Sequence, residues 1–348
     1  MRGFDYYRWT EIFMRLYTNN MLQQQMSKAA AQITKDIPAK VYLDVTPDCN
    51  LFCIMCRESV ENSGRVMDFE LFKRIVDETC EGVTSYSLFN SGESLLLPDL
   101  KDRVKYLSKR KLSNATIDIA TNGMLLIEDT SKFLIDSDVE VSISFDGSNA
   151  ERFERIRRGS DFGNICQNIE RIAAIASHMN PFRAPGIGIA IQKDNWHDLA
   201  SIITVANTLG VKRVSMWPVV NPKQFRIEPD ERVTRELTNA IHHAEDRGMA
   251  VDMYPIRLRN YVWDGNEYIE VDGSFIDKKC NAPLICTSVA WDGEVYLCCN
   301  YGDAVENLEG KSFQDVWNGE RYQKLRRQVN DENNLPRSCM NCFWVNRY

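Results

Sequence analysis

From residue 40 onward, short apolar runs alternate with longer stretches whose apolar side chains recur every three or four positions. The short runs predict strands and the longer ones amphipathic helices. Strands are expected at 40–46, 86–89, 115–120, 139–145, 186–192 and 212–219. Helices are expected at 69–80, 99–110, 127–136, 162–179 and 197–209, the last closed by Gly210. Six β/α units in a row require a parallel sheet with right-handed crossovers. The predicted fold is therefore α/β, a partial (β/α)6 TIM-like barrel, with active residues at the C-terminal ends of its strands.

The flanks differ from this pattern. Residues 1–38 place Phe4, Tyr7, Ile12, Leu16 and the apolar positions of 21–33 at helical spacing, and read as an N-terminal helical segment. The barrel is assigned 39–255, ending in a helix at 230–247 and a strand at 249–254. Residues 256–348 form a cysteine-rich C-terminal domain, with a hairpin across 288–297 turning at Asp292-Gly293 and a helix at 313–329. No short repeat or low-complexity segment interrupts the 348 residues.

Composition narrows the function. An apolar fraction of 44% and a charged fraction of 26% are ordinary for a globular protein. A formal net charge of −7 gives no electrostatic reason to expect nucleic acid. No run is long enough for a membrane span, and the N-terminus lacks a secretory pattern. A cytoplasmic location follows as the expectation, where thiols stay reduced. The 11 cysteines then read as metal ligands or reactive thiols before disulfides, and four histidines supply few imidazole ligands.

Cys49, Cys53 and Cys56 form a knot directly after the first strand, at the catalytic rim. Three thiolates hold a cubane while leaving one iron without a protein ligand. A structural zinc site wants a fourth ligand, and no Cys or His follows within the next 20 residues. The run Cys49-Asn-Leu-Phe-Cys53-Ile-Met-Cys56 resembles the radical SAM signature CxxxCxΦC, with Met55 at Φ. The resemblance implies a [4Fe-4S] cluster whose open iron chelates S-adenosylmethionine (SAM), cleaved reductively to methionine and a 5′-deoxyadenosyl radical.

The same resemblance runs through residues 40–220. Ser91-Gly92-Glu93 is similar to the family's GGE motif, which contacts the methionyl amine; here Ser replaces the first Gly and Ser94 the usual Pro. Asn122 ends the third strand and Ser144 the fourth, where relatives contact SAM. Arg157 is the implied partner of the SAM carboxylate, a pairing guanidinium geometry suits, with Arg158 as competitor. Met216 and Trp217 on the sixth strand are expected to line the adenine.

In the tail, Cys280 and Cys298 flank the hairpin and Cys339-x2-Cys342 forms a knuckle, enough for a closed four-thiolate site that spacing alone leaves open between zinc and a cluster. Cx17C with an internal Gly-x4-Cys and then Cx2C resembles the SPASM or twitch extension, supported by Phe313–Gly319 and Leu325-Arg-Arg327. That resemblance implies one auxiliary [4Fe-4S] cluster on Cys280, Cys298, Cys339 and Cys342, with Cys286 an alternative ligand. Cys299 is a spare thiol and a candidate hydrogen-atom donor, whereas Cys80 and Cys166 read as small buried hydrophobes.

The implied enzyme abstracts a hydrogen atom from a substrate carbon. Oxidation through the auxiliary cluster and epimerisation through a thiol are both open. The segment before the first strand is short for a leader-binding module, which favours a small polar metabolite such as a sugar or aminocyclitol over a peptide substrate with epimerisation or crosslinking. The implied electron donor is a flavodoxin or ferredoxin. A zinc scaffold and a non-catalytic electron carrier are the readings from other classes.

Overall fold

The computed structural model describes residues 37–56, 63–220, 222–252, 261–264, 266–270, 280–340 and 342. The helical segment expected at 1–38 lies outside them, apart from its last two residues. Strand β1 (Lys40–Leu43) opens the sheet and is followed by α1 (Phe69–Thr79), β2 (Ser85–Ser87), α2 (Leu100–Arg110) and β3 (Thr116–Thr121). Next come α3 (Glu128–Asp136), β4 (Val139–Ser144), α4 (Ala150–Ile156), α5 (Phe162–Met179) and β5 (Gly186–Ile191). The barrel closes with α6 (Leu199–Thr208), β6 (Arg213–Pro218), α7 (Glu231–Glu245) and β7 (Ala250–Asp252).

Aspartates set the helix starts. Asp68 accepts from the backbone N–H groups of Glu70 and Leu71, Asp161 from Asn164, and Asp230 from Arg232 and Val233. Helix α5 buries Ile165, Ile169, Ile172 and Ala176, a stripe at helical period laid against the sheet. In β3, β4 and β6, buried residues alternate with partly exposed ones. Ile117, Ile119, Val141, Ile143 and Val214 face the helices, leaving Asp118, Ser142, Ser144, Ser215 and Trp217 on the inner face. The core thus sits between sheet and helices, and the concave interior is polar.

The tail was expected as a separate unit; it extends the sheet. After the short helix α8 (Ala282–Ile285), β10 (Cys286–Val289) pairs in parallel with β1. Strands β11 (Glu294–Tyr296) and β12 (Ala304–Asn307) continue antiparallel, so ten strands run β12-β11-β10-β1-β2-β3-β4-β5-β6-β7. A separate hairpin, β8 (Tyr261–Trp263) and β9 (Tyr268–Glu270), was not anticipated. The helix expected at 313–329 is two, α9 (Phe313–Trp317) and α10 (Glu320–Gln328), because the chain breaks at Asn318-Gly319.

Candidate active site

The loop after β1 is fastened to the turn after α4. The N–H groups of Phe52 and Ile54 each donate at 2.9 Å, to the carbonyls of Arg158 and Ile156. Arg157, between those acceptors, turns its side chain inward. Its Nε binds the Asp146 carboxylate at 2.7 Å and its Nη1 lies 3.7 Å from the Cys53 Sγ. Asp146 is fully buried; burial pushes its carboxyl up, and Arg157 and the Ala190 N–H at 2.7 Å draw it back. Arg158 is exposed. Of the two arginines, Arg157 is the one held against the cysteines.

Cys53 and Cys56 lie beside this cation, and Cys49 lies beside Cys53. Cys53 is held below the ordinary thiol range, first by the hydrogen bond from the Cys56 thiol and then, against burial, by the Arg157 charge. Burial raises Cys49, which accepts from the Leu51 N–H at 3.5 Å and Asn122 Nδ2 at 3.8 Å. The same Nδ2 donates to Asn50 Oδ1 at 2.6 Å, so the end of β3 grips the loop.

The SGE segment locks β1, β2 and β3 together. Ser91 donates through N–H and Oγ to Asp44, at 3.1 and 2.6 Å. Gly92 has φ +37°, and a Cβ there would lie 2.1 Å from the Thr46 carbonyl oxygen. Glu93 is 1% exposed; its carboxylate accepts from the Leu95 and Asn122 N–H groups and the Thr121 hydroxyl, at 3.1, 2.7 and 2.8 Å. Burial raises its pKa and those bonds oppose the rise. Three of about four acceptor positions are filled, leaving one on Oε2 for an outside donor.

On the inner face, Ser144 stands in register with Gly188. Trp217 lies across the same place, its ring 2.4 Å from where a Gly188 Cβ would be. Met216 requires a correction. It is 2% exposed and belongs to the core between sheet and helices, because strand alternation sends it away from Trp217. Residues missed in the sequence include Asp146, Asp44 and Asn50. Only Asp146 carried a signal, two positions beyond Ser144 on the same face.

The tail brings six cysteines together. Cys298 feels Cys299, Cys286 and Cys280; Cys299 feels Cys342; Tyr301 lies beside Cys339 and Cys298. Burial raises the thiols of Cys286 and Cys298, and that of Cys299 to about 11. Asn330 clamps the Cys280 backbone with bonds of 2.7 and 2.9 Å. Cys80 and Cys166 are half-buried elsewhere, Cys166 against the core.

Comparison with known proteins decides the family. The profile described as the radical SAM superfamily matches residues 43–187. The chain carries a radical SAM domain. Residues 280–343 match the SPASM profile, an iron–sulfur cluster-binding domain. This radical SAM chain is 24% identical over 330 residues to the tungsten-containing aldehyde ferredoxin oxidoreductase cofactor-modifying protein of Pyrococcus furiosus, covering 87% of this chain and 86% of that protein. It is 24% identical to mycofactocin maturase MftC of Mycobacterium tuberculosis (84% and 73% covered). It is 23% identical to the AdoMet-dependent heme synthase of Methanosarcina barkeri (88% of each). The fold matches Streptococcus suis SuiB bound to its precursor peptide SuiA, with TM-score 0.65, 15% identity, and 89% of this chain and 71% of that one covered.

The radical SAM domain implies a [4Fe-4S] cluster with SAM, and the SPASM domain implies auxiliary iron–sulfur chemistry. The residues present fit both. At the rim, Cys49 faces N–H donors from Leu51 and Asn122, Cys53 faces one from Arg157, and the Cys56 thiol hydrogen-bonds to Cys53. In the tail, the Asn300 Nδ2 next to Cys299 and the Ser288 Oγ on β10 are buried without a hydrogen-bond partner. Among the described residues, no three His, Cys, Asp or Glu side chains gather as a single metal ion needs, whereas a polynuclear cluster spreads its ligands. The zinc reading of the tail gives way to the SPASM match. No helix among the described residues is long and apolar enough to cross a membrane.

Proposed function

We propose that this enzyme removes a hydrogen atom from a carbon of a peptide substrate, using SAM bound beside Cys49, Cys53 and Cys56. The observation that carries the reading is the contact of Arg157, itself fixed by buried Asp146, with Cys53 in the loop that carries all three thiols. When bound, cluster and SAM supply a 5′-deoxyadenosyl radical. Arg157 pairs with the SAM carboxylate, and Glu93 accepts from its amine through the free position on Oε2. Ser91 and Gly92 hold that carboxylate in place, Asn122 steadies the cysteine loop, and Ser144 and Trp217 bound the nucleoside side. Cys280, Cys298, Cys339 and Cys342 hold one auxiliary cluster, and Cys299 is the candidate hydrogen-atom donor. A flavodoxin- or ferredoxin-type protein supplies electrons.

The names of the relatives favour a peptide over the small polar metabolite that the sequence favoured. One is a maturase, and the structural neighbour holds a precursor peptide. A second reading, modification of a cofactor precursor, draws support from the two relatives matched over 86% and 88% of their own lengths.

One anaerobic experiment tests the chemistry. Protein reconstituted with iron and sulfide should hold about eight irons, four per cubane. Added reductant and SAM should give 5′-deoxyadenosine. Cys49→Ala, Cys53→Ala or Cys56→Ala should abolish that product. Cys298→Ala or Cys342→Ala should spare it while blocking substrate turnover. Equal loss in both sets would contradict the division of labour. Deuterium passing from a labelled peptide, and not from a tetrapyrrole, into 5′-deoxyadenosine separates the two substrate readings.

A further inference from the structure

Strand β1 carries the first cysteine loop beyond its C-terminal end and pairs along its length with β10 of the SPASM hairpin. In that pairing Lys40 stands opposite Cys286 and Tyr42 opposite Ser288, which puts all four on the inner face. The Tyr42 hydroxyl is a hydrogen-bond partner of the Cys299 thiol. The Lys40 ammonium lies 4.8 Å over the Tyr42 ring, on the face that β10 lines with Cys286. Its counter-charge is Asp118 on β3, 3.3 Å away, which also accepts from Ser87 Oγ at 2.6 Å. Both side chains are largely shielded, 30% and 21% exposed. A lysine inside a parallel sheet is costly unless paired. The binding of SAM uses neither it nor Tyr42.

We propose that Lys40 and Tyr42 are positioning residues for the auxiliary centre, raising its reduction potential, with Asp118 opposing them. The proposal rests on the assignment of a cluster to the tail cysteines. Reduction adds a negative charge to such a centre, so a nearby cation and an O–H dipole set against the thiol next to ligand Cys298 both favour the reduced form. A shielded wall lets one charge act across several ångströms. The consequence is a centre poised to take an electron from the substrate side of the barrel.

The test is a redox titration of the full reconstituted chain followed by electron paramagnetic resonance, with the open-site signal identified by its change on SAM addition. Lys40→Gln should move the auxiliary midpoint to more negative potential, Tyr42→Phe should move it less in the same direction, and Asp118→Asn should move it positive. Lys40→Arg should stay near wild type, and the open-site midpoint should hold in all four. Unmoved auxiliary midpoints in Lys40→Gln and Asp118→Asn, or shifts of one sign in both, overturn the proposal. If Lys40→Gln fails to retain its auxiliary iron, the opposite signs of Tyr42→Phe and Asp118→Asn decide the matter. A wild-type chain holding only about four irons removes the auxiliary assignment itself, a failure read from the iron count before any titration.

Discussion

Arg157 holds the buried Asp146 carboxylate at 2.7 Å with its Nε while its Nη1 lies 3.7 Å from the Sγ of Cys53. A carboxylate just past the end of the fourth strand thereby aims a guanidinium at a loop that follows the first. Asp146→Asn should leave the cation buried without its counter-charge, at a cost of about 3 kcal/mol. The expected outcome is a lower melting temperature and weaker SAM binding by calorimetry, with the cysteine loop still taking up iron. An unchanged SAM affinity would sever Arg157 from the site.

Gly92→Ala should damage the site without touching a ligand. Its positive φ and the Thr46 carbonyl both exclude a side chain, and strain of this kind costs roughly 1–3 kcal/mol. Because Gly92 sets the approach of Glu93 to the cysteine loop, open-site iron should fall with stability. Iron assay alongside a thermal melt reads both.

In the tail, the Arg326 guanidinium stacks 3.9 Å from the Trp317 ring centroid and 4.4 Å from that of Tyr322. Its Nε donates to the Pro283 carbonyl at 2.9 Å, bracing the segment after Cys280. Arg326→Ala should cost about 1 kcal/mol and speed the loss of auxiliary iron to a chelator. Production of 5′-deoxyadenosine should survive.

Asp138 offers a control remote from the chemistry. Its hydrogen bonds from Arg183, at 2.6 and 2.8 Å, hold its carboxyl below the ordinary value of 3.8. A lowered folded pKa means stability present above that ordinary value and lost as pH falls through the lowered one. Asp138→Asn should therefore flatten the acid limb of a denaturation-midpoint profile, by well under about 1 kcal/mol because the pair is exposed. Asn tolerates the positive φ of 59° found there, so the backbone is undisturbed while the charge and one acceptor oxygen are lost. SAM cleavage should not move.

The first six strands and the helices between them were readable because hydrophobic period is a local property. Helix α5 spans 162–179 both in the periodicity and in the structure. Cys49, Cys53 and Cys56 were readable for the same reason, being one short run. Helix α4 escaped, although Asn149 caps it, because its seven residues give too short a period to register.

What the linear chain determined by itself was the order of strands and helices and the kinds of ligand offered. These follow from side-chain chemistry at fixed spacing. Only the tertiary structure decided that Met216 turns into the core while Trp217 faces inward, and that Arg157 rather than Arg158 reaches Cys53. It alone brought Cys286 to Lys40 across a β1–β10 pairing between residues far apart in the chain. Such pairings depend on which strand edge is left open once the whole sheet has formed, and no local pattern of residues encodes that.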